Sequence, residues 1–170
     1  MQSRKKWKFY FKNFKEYLLK KENSYLLILL IIIFFLDRYS KTLIIRNYTN
    51  QKYFINDYIN LELVWNTGIG FGLLSSSSEV FYLFITSIIG FVIIYLLYIA
   101  LISNIIDKII YFIIASGALG NFYDRLTYQA VPDFIDLHYK KFHWFTFNVA
   151  DIFISLGIIS FIIRSFYIKN

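Results

Sequence analysis

The chain has 170 residues, 58% of them hydrophobic, no Cys and a formal charge of +7. That apolar share exceeds what a soluble domain needs and points to one membrane domain, while the lack of Cys excludes disulfides, thiolate metal ligands and a cysteine nucleophile within the chain. Eight of the 18 Lys and Arg fall in residues 1–22, the positive-inside signature of a first span; with no base-reading motif beside them, no nucleic-acid partner is expected.

Residues 1–23 form a basic arm in which Trp7, Tyr10, Phe11, Phe14, Tyr17 and Leu18 recur at helical spacing. The pattern fits either a helix lying on the inner membrane surface or a disordered arm. The remainder, 24–170, reads as the membrane domain. Its first span covers about 24–45, with Asp37, Arg38 and Lys41 in the outer part. No small-residue cleavage site follows, so the span is expected to be retained rather than removed as a signal peptide. Residues 53–64 favour short strands, and Ser75 to Ser78 reads as a turn. The second span, 80–102, is free of charge and exceeds the ~20 residues a bilayer requires.

The third apolar run, about 109–121, is short, so its helix is expected to start earlier with Lys108 snorkelling to the surface. Ser116, Gly117, Ala118 and Gly120 let other helices come close. Residues 125–147 read as an external loop, and the fourth span covers 148–168. The expected fold is an all-α membrane protein with four transmembrane helices and a small extracytoplasmic β-rich element. Both termini then lie in the cytoplasm, and Asp37, Asp124 and Asp151 gather toward the outer face.

Two segments pair an Asn with an Asp three residues on: Asn121-Phe122-Tyr123-Asp124 and Asn148-Val149-Ala150-Asp151. A carboxylate beside a span is costly to desolvate and marks function. Two close aspartates share one proton, so one can take a proton from water while the other polarises a peptide carbonyl. That chemistry is expected of Asp124 and Asp151. The plainer readings are an ion pair to Arg125 for Asp124 and a helix-start position for Asp151. A proton or solute pathway would instead spread its carboxylates through the membrane depth, and a non-catalytic lipid-binding scaffold would not need the pair. Asp133 and Asp136 are expected to be structural partners in the outer loop. His138 and His143 lack an evident third ligand, so no metal site is expected. Trp65 and Trp144 suit the membrane interface.

Five motifs in order resemble those of the lipoprotein signal peptidase (signal peptidase II) family. They are Asp37-Arg38-Tyr39-Ser40-Lys41, Asn66-Thr67-Gly68-Ile69-Gly70-Phe71-Gly72, Gly117 through Arg125, Val131-Pro132-Asp133-Phe134-Ile135-Asp136, and Phe147 through Asp151. The resemblance covers roughly residues 25–160 and not the basic arm. It implies a membrane-embedded aspartic endopeptidase of the bacterial plasma membrane. Such an enzyme removes the signal peptide from a diacylglyceryl-modified prolipoprotein, cutting just before the lipidated Cys. It further implies that Asp124 and Asp151 are the catalytic pair and that Asp37, Lys41, Asn66, Gly68, Asn121, Arg125, Asn148 and Ala150 support it. The expected partners are the lipidated precursor and membrane lipids. No cofactor is expected, and the protein is expected to be a monomer. Arg38, Ser40, Ile69, Gly70 and Pro132 depart from the usual residues of the family motifs.

Overall fold

A computed structural model of the chain describes residues 20–49, 51–68 and 79–168. The basic arm before residue 20, Ile69, Gly70 and Gly72, and the turn expected at Ser75 to Ser78 lie outside the described residues. Among the described residues, four long helices and four strands follow in the order α1 (Lys21–Asn47), β1 (Tyr53–Asn56), β2 (Ile59–Asn66), α2 (Glu79–Ile102), α3 (Ile105–Tyr128), β3 (Val131–Tyr139), β4 (Phe142–Phe147) and α4 (Val149–Ile168).

Among the described residues, three helical stretches are long and apolar enough to cross a membrane: Val80–Ile102, Ile105–Tyr128 and Val149–Tyr167. On α2, Val80, Leu83, Phe84, Phe91 and Ile94 all face outward, as expected of a helix whose surroundings are hydrocarbon. The expected first span corresponds to α1, which is not one of the three; its second half carries Asp37, Arg38 and Lys41.

Helix α3 is the packing centre and touches α1, α2, α4 and β3. It starts earlier than its apolar run because the Asn104 side chain accepts from the Ile106 and Asp107 N–H groups, both at 3.1 Å, satisfying donors that a helix start leaves open. It ends at Gln129, whose left-handed φ of 55° turns the chain into β3. Lys108 does not snorkel. It is 1% exposed, and its Nζ donates to Glu22 Oε1 at 2.6 Å and Asn23 Oδ1 at 3.0 Å. Desolvating that ammonium is tolerable because α1 supplies the acceptors. Arg164 meets Asp107 at the same end of the bundle, tying in the last turns of α4.

The expected loop 125–147 is instead the end of α3 followed by a hairpin. The four strands form one antiparallel sheet in the order β1-β2-β3-β4, with Asn66 opposite Val131 and His138 opposite His143. β3 lies against α1 and α3. The sheet therefore sits at the opposite end of the bundle from Lys108.

The expected close approach of helices occurs at Gly117 and Gly120, and Gly157 on α4 adds a further one. A Cβ on Gly117 would stand 2.5 Å from the Ala150 carbonyl oxygen, one on Gly120 would stand 2.5 Å from Asp37 Oδ2, and one on Gly157 would stand 2.4 Å from Ile114. Gly117→Ala should accordingly push α4 away from α3 and lower stability by about 1–3 kcal/mol, measurable as a fall in the unfolding midpoint in detergent. An unchanged midpoint would show that the helices have room to spare.

Candidate active site

One buried ammonium organises the helix ends. Asp37 and Lys41 stand one turn apart on α1, and both are fully buried. Lys41 Nζ donates to Asp37 Oδ2 at 2.8 Å, Asn121 Oδ1 at 2.9 Å and Asp124 Oδ2 at 2.7 Å. Its three hydrogens are thus matched by three acceptors. Asp37 Oδ1 accepts from the Ala150 N–H at 2.9 Å, so the same carboxylate also holds the first turn of α4. The second oxygen of Asp124 meets the Arg38 guanidinium at 2.5 Å, and Arg38 lies over the Tyr123 ring, 4.9 Å from its centroid. Two cations face two anions, and both Asp124 oxygens are engaged by cations.

A second network begins at Asn148. Its side-chain oxygen accepts from the Asp151 N–H at 3.1 Å, and its own N–H donates to Asp151 Oδ2 at 3.2 Å. This is a reciprocal cap that starts α4. The same side chain donates through Nδ2 to Asp133 Oδ1 at 2.5 Å. Asn148 therefore links the two aspartates. Asn66 donates to Asp133 Oδ2 at 2.8 Å and accepts from the Gly68 N–H at 2.8 Å. Asn121 joins the two networks: it accepts from Lys41 and donates to Asp151 Oδ1 at 2.8 Å. Arg125 donates to the Gly68 carbonyl at 2.6 Å and to that of Asn121 at 3.3 Å.

Asp133 and Asp151 both line a cavity of about 310 Å³, together with Asn66, Asn121, Arg125 and apolar side chains such as Ile154. Asp124 is not among the lining residues. All ten sequence-predicted residues fall within these joined networks, but the two acids at the cavity are Asp133 and Asp151 rather than Asp124 and Asp151. Burial, followed by the neighbouring Asp151 charge, pushes Asp133 up to about 7 despite the hydrogen bonds from Asn66 and Asn148. Sequence reasoning treated Asp133 as a loop residue. A signal for its burial was present: a lone ionisable residue inside the apolar run Ala130-Val131-Pro132-Asp133-Phe134-Ile135. Asp136 also has a setting that the sequence hid, because its carboxylate meets His143 Nδ1 at 2.8 Å.

The family model described as Signal peptidase (SPase) II matches residues 29–167. This chain belongs to the signal peptidase II family. A Pelagibacter ubique protein named lipoprotein signal peptidase is 44% identical over 153 residues, which cover 88% of this chain and 92% of the relative. A lipoprotein signal peptidase of Thermodesulfovibrio yellowstonii is 36% identical over 108 residues, covering 64% and 71% of the two chains. A solved structure described as a bacterial membrane enzyme, obtained by the in meso method at 2.3 Å resolution, superposes with a TM-score of 0.73 at 27% identity. It covers 86% of this chain and 90% of its own. The family expected from the five motifs is the family found.

Replacing Lys41 with Met leaves Asp37 and Asp124 buried with only Arg38 between them. Removing one partner of a buried ion pair costs about 3–5 kcal/mol. Lys41→Met should therefore lower the unfolding midpoint well beyond what Gly117→Ala does, a comparison that a single thermal series in detergent makes directly.

Proposed function

We propose that this peptidase removes signal peptides from diacylglyceryl-modified prolipoproteins, and that Asp133 and Asp151 form its acid pair. The observation that carries the assignment is the shared cavity. These two carboxylates face it, and both are held by Asn148, whose side-chain Nδ2 donates to Asp133 and whose backbone N–H donates to Asp151. Asp124, in contrast, is fully buried between Lys41 and Arg38, and a carboxylate with both oxygens engaged by cations is a poor base.

Two carboxylates this closely coupled titrate together and hold one proton between them at neutral pH. Asp133 is the member that keeps it. Asp151 takes a proton from the attacking water, and the water oxygen bonds to the scissile carbonyl carbon. Asp133 gives its proton to the carbonyl oxygen, and a tetrahedral diol forms. The diol collapses as the C–N bond breaks: Asp151 passes its proton to the leaving amine of the lipidated Cys, and Asp133 takes a proton back from a diol hydroxyl as the carbonyl re-forms. The lipid anchor holds the scissile bond at the depth of the pair, so positioning does much of the work.

The proposed topology has four spans, with α1 as the first. Both termini are cytoplasmic, the acid pair faces the outer side of the bacterial inner membrane, and the protein acts as a monomer. Its support is the basic run in residues 1–22, together with the position of the sheet at the end of the bundle away from Lys20, Lys21 and Lys108.

Purified protein should cut a synthetic diacylglyceryl precursor just before the modified Cys and leave its unlipidated twin intact. Asp133→Asn and Asp151→Asn should each lower cleavage by roughly a thousandfold or more while the protein stays folded, on the scale seen when one catalytic group of a concerted set is lost. Near-normal cleavage by Asp133→Asn would sink the assignment.

The pH profile tests the proton holder separately. A raised Asp133 keeps its proton below about 7 and loses it above. The rate should then hold on the acid side of that value and fall as pH rises through it. A profile of kcat/KM that stays flat from about pH 6 to about pH 9 would remove Asp133 from the acid role.

A further inference from the structure

Away from the cavity, the sheet gathers a second cluster of side chains. Asp136 and His138 are two residues apart on β3 and so point to one face. A bulge in the β3–β4 pairing sets Leu137 opposite Phe145 and the next residue, His138, opposite His143. Trp144 is the extra residue. Regular pairing would have placed Trp144 opposite His138; the bulge re-aims the strand and brings His143 there instead. The two imidazoles stack with centroids 5.3 Å apart. His143 Nδ1 lies 2.8 Å from Asp136, and His138 Nδ1 lies 3.9 Å from Asp136 Oδ2. One ligand atom from each of the three residues falls within 4.8 Å of the others.

We propose that Asp136, His138 and His143 form a binding site for a late first-row divalent cation, with zinc the best match. Two imidazole nitrogens and one carboxylate oxygen suit such an ion, whereas magnesium and calcium prefer oxygen alone. Asp136 and His138 are buried, which fixes them as the floor of the site. The His143 side chain is 46% exposed, leaving an approach from solvent and a fourth position for water. Protein N–H groups now fill the space where the cation would bind. Asn60 Nδ2 lies 3.2 Å from Asp136 Oδ2 and 3.1 Å from His138 Nδ1, and Lys52 Nζ lies 3.1 Å from Asp136 Oδ2. Lys52 is the competitor that can leave, because its ammonium already has a second partner in Glu62 at 3.1 Å. A bound cation would pin β4 to β3 three residues beyond Asp133, and it has no part in the cleavage step.

The test uses the full-length protein in detergent, stripped with a chelator and then offered zinc, cobalt(II) or magnesium alone. One equivalent of zinc should survive dialysis. Cobalt(II) should give the visible absorption of a four-coordinate nitrogen and oxygen site, and zinc but not magnesium should raise the unfolding midpoint. His143→Ala, at a half-exposed position, should weaken zinc binding by about tenfold or more. Lys52→Ala should strengthen it severalfold by removing the competing ammonium. Failure to retain zinc at one equivalent, uptake that His143→Ala leaves unchanged, or weaker binding in Lys52→Ala would each overturn the proposal.

Discussion

The arrangement depends on the Lys41 ammonium. A charge taken fully out of water is tolerated only where every hydrogen finds an acceptor, and here the acceptors come from two helices, Asp37 on α1 and Asn121 and Asp124 on α3. The requirement fixes how the two helices face each other along and around their axes. Asp37 then passes the constraint to α4 through the Ala150 N–H. Three helix ends are thus set by one cation, and small residues at the crossings let the backbones come near enough for those bonds to form.

The proposed acid pair is attached to this frame through two asparagines. Asn121 touches Lys41 with its oxygen and Asp151 with its nitrogen, so the position of the acid follows from the position of the ammonium. Asn148 starts α4 and reaches Asp133 on β3. The sheet matters because β3 brings a carboxylate from a different kind of element to meet one at a helix start. Neither aspartate could be held there by its own element alone.

Much of this was legible in the chain. Long apolar runs announced α2 and α4, and the small residues between 116 and 120 announced the crossings of α3. The gathering of Asp37, Asp124 and Asp151 toward one end was also readable. Two things were not. The twin Asn-x-x-Asp segments look alike in sequence, yet Asp124 meets Lys41 from 83 residues away and Asp151 opens onto a cavity. Local pattern cannot distinguish a carboxylate held by distant cations from one that is not. Asp133 was read as a structural residue of the outer loop because the whole stretch between the third and fourth spans was read as loop, whereas the strand is made by pairing with β2. The same non-local pairing hid the meeting of Asp136 with His143. Lys108 was sent to the surface because its acceptors, Glu22 and Asn23, lie at the far end of the preceding sequence.

The separation between Lys41 and Asp124 also bears on biogenesis. A ribosome adding roughly 5–20 residues per second takes about 4–17 s to synthesise those 83 residues. During that interval α1 exists while its counter-ion on α3 does not. Asp37, one turn before the lysine, is the only partner of Lys41 within the described part of α1, and it provides an interim neutralising charge. The nascent helix thus carries its own chaperoning carboxylate, which is later shared with α4 once the final segment emerges.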